Sequence, residues 1–169
     1  MRVLVTYGST RGGTEGLAHM IGDRLREKGL EVDVLAAGQV VRLETYSAVV
    51  IGGALYAMRW HKDSRKLVRR NAAELRRLPT FFFSSGPLDD SASKKDIPPV
   101  AQVKAAMELV GSRWHKTFGG RLEPNAKGLI ASRMAKRLSG DWRDAADVEG
   151  WASFVAEEIR HRVAEGTAA

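Results

Sequence analysis

Residues 7–15 read Tyr7-Gly8-Ser9-Thr10-Arg11-Gly12-Gly13-Thr14-Glu15, and the segments on either side decide what they are. Before them, Arg2-Val3-Leu4-Val5-Thr6-Tyr7 has the apolar, β-branched run of a buried strand. After them, Leu17, Ile21 and Leu25 recur at helical spacing over residues 14–28, and Gly29 supplies a C-terminal stop. A strand therefore passes through a short Gly-rich loop into a helix. The N–H groups of a helix's first turn lack intrahelical acceptors, and the helix dipole favours an anion there. Gly12 and Gly13 let the backbone approach a phosphate closely, and Ser9, Thr10 and Thr14 add hydroxyl donors. A plain helix cap needs one such hydroxyl; three of them around two glycines point to a phosphate. No Gly-Lys-Ser/Thr follows, which excludes a nucleotide-hydrolysing P-loop, and the spaced glycines of a dinucleotide fingerprint are absent too.

Outward from this loop the pattern keeps alternating. Glu31–Leu35 alternates as a short strand, and Ala48-Val49-Val50-Ile51, closed by Gly52-Gly53, suits a central parallel strand. Residues 62–77 read as an Arg/Lys-rich helix. Thr80-Phe81-Phe82-Phe83 reads as the next strand, leading into Ser84-Ser85-Gly86. Residues 99–111 form a helix after Pro98-Pro99, residues 115–122 a fifth strand, and a last helix spans about Ala145 to Arg162. Such units predict an α/β fold: a five-stranded parallel sheet in the doubly wound order 2-1-3-4-5, sandwiched between helices on both faces. Ligands of such sheets bind beyond the carboxyl ends of the strands at the switch point, which directs attention to residues 8–14, 52–61 and 84–97. The whole of 1–169 is expected to form one domain, with 123–143 inserted before the last helix.

Composition sets the chemistry. The 169 residues include no cysteine, which excludes disulfides, thiolate metal sites and cysteine nucleophiles. Any redox chemistry would have to reside on a bound cofactor. The net charge of +7 attracts anions. The chain opens directly on a strand, without a cleavable signal pattern, and no apolar run approaches the ~20 residues of a membrane span; a cytoplasmic location is expected. Nucleic acid is not expected as a partner, since neither a groove-reading motif nor an aromatic platform is evident.

Gly8-Ser9-Thr10-Arg11-Gly12-Gly13-Thr14-Glu15 resembles the phosphate loop of flavodoxins, and more closely that of the menaquinone-dependent protoporphyrinogen oxidase branch of the flavodoxin superfamily. Val49-Val50-Ile51-Gly52-Gly53-Ala54-Leu55-Tyr56, Trp60-His61, Gly119-Gly120-Arg121-Leu122 and a final helix bearing Trp151 are similar to the same branch. The resemblance implies a flavodoxin-like three-layer sandwich that binds FMN noncovalently. Its phosphate would rest on Ser9, Thr10, Arg11, Gly12, Gly13 and Thr14. A second loop, with Ala54, Leu55, Tyr56, Ala57 and Trp60, would flank the isoalloxazine ring, and Tyr56 and Trp60 are candidates to stack on it. A third, with Ser84, Ser85, Gly86, Pro87, Leu88 and Asp89, would meet the ring edge. His61 is placed to cap the helix that begins there or to donate a hydrogen bond.

An FMN-dependent oxidoreductase, coupled to a quinone or a redox protein, is the leading expectation. The deazaflavin F420 is an alternative, because its phosphodiester and oligoglutamate tail suit a basic protein; a noncatalytic electron carrier is a third. No catalytic side-chain pair or metal site stands out. In 126–139, Ile130, Met134 and Leu138 share one helical face, with Lys127, Arg133, Lys136 and Arg137 largely off it. Such a helix either packs on the body, covers an anionic cofactor tail, or touches the inner face of a membrane. Arg65, Lys66, Arg69, Arg70, Arg76 and Arg77 are expected on a solvated helix face.

Overall fold

The computed structural model describes residues 1–123 and 139–167. Its main sheet contains β1 (Arg2–Gly8), β2 (Glu31–Ala36), β3 (Ala48–Tyr56), β5 (Thr80–Ser85) and β6 (Trp114–Phe118), parallel throughout and ordered β2-β1-β3-β5-β6. These are the five expected strands in the expected order. The two-residue strand β4 (Arg59–Trp60) turns back antiparallel on the end of β3.

Helices cover both faces, and the period-two alternation of the strands divides the core between them. Val3 and Val5 of β1, with Phe81 and Phe83 of β5, point to the side of α1 (Gly13–Glu27) and α6 (Ala145–Thr167). Leu17, Ile21 and Leu25 of α1 and Trp151, Val155 and Ile159 of α6 complete that layer. Leu4, Val49, Ile51 and Phe82 point the other way, onto Leu67 and Val68 of α2 (Lys62–Arg70) and Val103 of α5 (Ala101–Val110). Lys28, just after α1, and Arg24 within it reach Glu149 of α6 at 2.6 and 3.4 Å and tie the first layer along its surface.

Two expected elements are divided. The helix expected over 62–77 breaks at Asn71, which adopts φ −113°, ψ 23° and donates its side-chain amide to the Leu67 carbonyl at 2.9 Å. A short polar side chain that hydrogen-bonds its own helix competes with the backbone ladder. The chain resumes as α3 (Ala72–Leu75), and a one-turn helix, α4 (Ser91–Lys94), follows β5. Arg70 donates to the carbonyls of Ala37 and Val40 while staying exposed, as do Lys66, Arg69, Arg76 and Arg77; Arg65 alone of the six is half-buried. The strand expected over 115–122 likewise ends at Phe118. Trp142's backbone carbonyl crosses so close to Gly119 that a Cβ there would collide with it. Beyond this crossing, β7 (Arg121–Leu122) pairs antiparallel with β8 (Gly140–Asp141). The basic helix expected in 126–139 falls, apart from its last residue, outside the described residues. Among those described, no helix is long and apolar enough to cross a membrane.

Candidate functional site

Strand register gathers the three loops. Gly8 at the end of β1 is level with Gly53 of β3, and Gly53 with Ser84 of β5; Ala54 is level with Ser85, and Ser85 with Phe118 of β6. The loops after β1, β3 and β5 therefore leave the carboxyl edge side by side. The chain lays β2 on one side of β1 and β3 on the other, so this edge is the switch point.

The first loop is shaped from within. Ser9 Oγ accepts the Gly12 N–H at 3.0 Å, and Gly12 takes the left-handed conformation, φ 78°, that turns the chain into α1. Only glycine adopts this conformation at little cost. A Cβ on Gly12 would meet no atom within 4 Å, so the loop opens there onto free space. The first helical bond runs from Gly16 N–H to the Gly12 carbonyl at 2.9 Å, leaving the N–H groups of the preceding turn without helix acceptors. Thr14 is buried in that turn. The β7–β8 stem abuts it: Arg121's carbonyl stands 3.1 Å from a Cβ built on Gly13, and the Arg143 guanidinium, pinned to Asp141 at 2.8 Å, lies over Gly16.

Thr10 carries a contact that sequence spacing does not reveal. Its hydroxyl lies 3.0 Å from His61 Nε2, while His61 Nδ1 accepts the Asp63 N–H at 3.3 Å and caps α2. With Nδ1 accepting, the ring proton sits on Nε2 and is donated to Thr10. Burial holds the His61 pKa below the ordinary imidazole value, opposed by the nearby Asp63 carboxylate, so the ring is neutral. In that arrangement Thr10's own hydroxyl proton is free for another acceptor.

In the second loop, Tyr56 is exposed and Arg11 places its guanidinium 5.1 Å from the tyrosine ring centroid, which joins the first and second loops. Ala54 and Leu55 are half-buried, and Ala57 is exposed. Ala57 and Met58, at φ 47° and 61°, form the two-residue turn between β3 and β4. Both positive angles belong to a primed hairpin turn, which is strained in residues with side chains. Trp60 does not share this exposure. It is only 1% exposed, packs against Phe82 at 5.8 Å and sits over Gly53, so it has no open face to stack on a ligand ring. The expectation of Trp60 as a stacking residue is corrected on that ground: its ring lies on the α2/α5 side of the sheet, where the core has claimed it.

The third loop leans on the glycine pair after β6. Gly86 N–H donates to the Phe118 carbonyl at 3.2 Å, Gly120 N–H to the Pro87 carbonyl at 2.8 Å, and Leu88 packs beside Gly120. Ser84 is fully buried with its hydroxyl 3.0 Å from His115 Nε2, so that hydroxyl serves the fold. Ser85 is buried at the same strand end. Asp89 is exposed, and hydrogen bonding by the Ser91 side chain, together with the Ser91 N–H that it accepts at 2.9 Å, lowers its pKa. The loop thus presents backbone groups and Asp89 at the edge.

Comparison with known proteins agrees with this fold. The chain is 25% identical to the protoporphyrinogen IX dehydrogenase [quinone] of Escherichia coli K12, over 95% of this chain and 96% of that one. Among solved structures, a flavodoxin mutant from Pseudomonas aeruginosa superposes with a TM-score of 0.61 at 18% identity, covering 95% of this chain and 99% of that one. The rubredoxin oxygen:oxidoreductase of Desulfovibrio gigas superposes at 0.65 with 12% identity, over 96% of this chain, which spans 37% of that larger protein. The model of the Flavodoxin domain family matches residues 4–126, a stretch that begins inside β1 and takes in all three loops; the chain belongs to that family.

Proposed function

We propose that the chain binds FMN noncovalently at the carboxyl edge of its sheet and acts as an oxidoreductase that exchanges electrons with a quinone or a redox protein. The observation that carries this is the β1–α1 loop. It has an open left-handed glycine, a first helical turn with free N–H groups, and a threonine hydroxyl oriented by a neutral histidine. Ser9 stiffens the loop through Gly12. Thr10, Gly13 and Thr14 then offer donors to one phosphate, Gly12 leaves room for its approach, and Arg11 adds a cation beside it. Tyr56 offers a ring face at the second loop; a ligand ring either displaces Arg11 or takes the face Arg11 leaves open. Backbone groups of Gly86–Leu88 and the Asp89 carboxylate meet the ring edge. The flavin, when bound, supplies hydride and single-electron chemistry that no side chain of this cysteine-free protein offers. The name of the E. coli relative supports a quinone as acceptor, and the charge of +7 supports peripheral contact with an anionic membrane on the cytoplasmic side.

The test is a titration of the purified apoprotein with FMN and with F420, followed by absorption and by quenching of flavin fluorescence. Saturable FMN binding, and reoxidation of the dithionite-reduced complex by a soluble menaquinone analogue, are expected. Tight F420 binding with none for FMN overturns the cofactor assignment. FMN binding without reoxidation by the quinone leaves the cofactor and removes the quinone.

A further inference from the structure

We propose that the edge of the sheet opposite the FMN site carries a second anion site, one that takes a small soluble ligand bearing two or more phosphate groups. The site is a cavity of about 560 Å³ at the amino ends of β5 and β6, walled by Arg76, Arg77, Arg113 and Arg162, with Trp114 and Glu165 beside them. That volume falls in the range of small-molecule sites. Among the described residues none of the four guanidinium groups has a carboxylate within 4 Å. Glu165, the acidic residue of the wall, faces His161 at 3.6 Å.

Three of the arginines have a contact that places them, and among the described residues none of the four has a counter-charge. Arg76 donates to the Leu109 carbonyl at 2.9 Å, in the last turn of α5, where the helix dipole favours a cation. Arg113 and Arg162 lie 5.2 and 4.7 Å from the Trp114 ring centroid, and Trp114 itself stacks on Phe81 at 4.8 Å. Contact with an aromatic face orients a guanidinium and leaves its N–H edge free for bidentate bonding to a phosphate. Arg77 has neither kind of anchor. The cavity wall beneath is rigid: Ser112 donates to the Thr80 carbonyl at 2.6 Å, and Thr80 Oγ1 bonds the carbonyls of Leu75 and Leu78 at 3.1 and 3.0 Å. Four like charges held around one opening repel one another, and a multiply charged anion removes that repulsion. Four uncompensated cations around one opening match the charge of linked phosphates better than that of an isolated one, so the site favours linked phosphates.

The probe is inorganic pyrophosphate, titrated at constant physiological ionic strength with calorimetry and tryptophan fluorescence as readouts, against orthophosphate and sulfate. Saturable pyrophosphate binding is expected, with a fluorescence change that Trp114→Phe abolishes. The pair Arg77→Gln and Arg162→Gln should weaken it at least about tenfold, whereas saturating FMN, which fills the loop at the other edge, should leave it unchanged. Circular dichroism and a thermal melt establish that each variant is folded, and Arg77→Lys with Arg162→Lys stands in if the Gln pair is not. No saturable signal overturns the proposal. So does binding lost under saturating FMN but kept in the arginine pair, or equal binding of sulfate and pyrophosphate. Binding of anionic vesicles without a pyrophosphate response also overturns it, since that assigns the arginines to a lipid surface.

Discussion

Gly12 divides the anchoring loop from α1, and its φ of 78° decides what a substitution does there. A side chain at Gly12 clashes with nothing, so Gly12→Val should fold, at a cost of about 1–2 kcal/mol for a left-handed β-branched residue. Its methyl groups would stand where a phosphate must approach. FMN affinity should therefore fall at least about tenfold, roughly 1.4 kcal/mol, while the melt shifts only a few degrees; unchanged affinity in the folded variant removes the phosphate from this loop. His115 offers a second test, in pH. Burial pushes its imidazole down to about 4, against a smaller opposing effect of Asp96. The native state thus keeps the ring neutral where the unfolded chain would protonate it. That stability is present above the ordinary value near 6.5 and drains away as pH falls toward 4. Urea unfolding should lose about 2 kcal/mol between roughly pH 7 and pH 5 through this group, and His115→Gln should flatten that slope. Equal slopes in the two proteins would place the loss elsewhere. Legibility at this scale follows sequence distance. Ser9, Gly12 and Thr14 act within one loop and could be read from spacing alone. Thr10–His61 and Ser84–His115 join residues 51 and 31 apart, and spacing carries no mark of them. Trp60 had two readings because an aromatic residue near a strand end serves a ligand or a core equally well, and only the face it lands on decides.

The β3–β4 hairpin carries strain that a sequence pattern does not announce. Primed turns favour Asn-Gly, and Ala57-Met58 holds the same two positive φ angles with side chains ill suited to them. Ala57→Asn with Met58→Gly should raise stability by about 1–2 kcal/mol, read as a higher midpoint in urea at constant slope. If the midpoint does not rise, the turn is not strained as its angles indicate. Because Tyr56 begins this turn, FMN affinity measured in parallel reports whether the strain bears on the ring face. α6 offers the opposite case, an element read correctly for a simple reason. Trp151 meets Phe83 and Phe118 edge-on at 6.1 and 5.5 Å, and its helix closes one layer of the core. Trp151→Ala should cost about 3–5 kcal/mol by denaturant unfolding. Strong apolar periodicity made α1, α6 and the central strands legible. The breaks at Asn71 and Gly119 were not, since each depends on a contact outside its own periodic pattern: an amide folding back on Leu67, and the Trp142 backbone arriving from a segment beyond β7.

At the scale of the molecule, one sheet holds two edges of different character. The order β2-β1-β3-β5-β6 was legible because alternating strands and helices allow few right-handed arrangements, and the Gly-rich loop marked which strand comes first. The arginine-walled cavity was not legible, because its parts come from the segment between α3 and β5, the turn between α5 and β6, and α6, and meet only through the topology. Ligand binding at the proposed FMN site would couple to the stability of the whole sheet, since that site is assembled from the ends of β1, β3 and β5 and exists only in the folded chain. FMN at about a hundredfold excess over its dissociation constant should stabilise the protein by about 2.7 kcal/mol, which for a chain of this size raises the melting temperature by roughly 5–10 °C. Riboflavin presents the same ring without the phosphate. If the β1–α1 loop supplies most of the anchoring, riboflavin at the same concentration should give a small fraction of that shift, and Gly12→Val should abolish the difference between the two ligands. Equal shifts from riboflavin and FMN would move the binding energy from the loop to the ring face at Tyr56, and with it the reason for an open glycine at position 12.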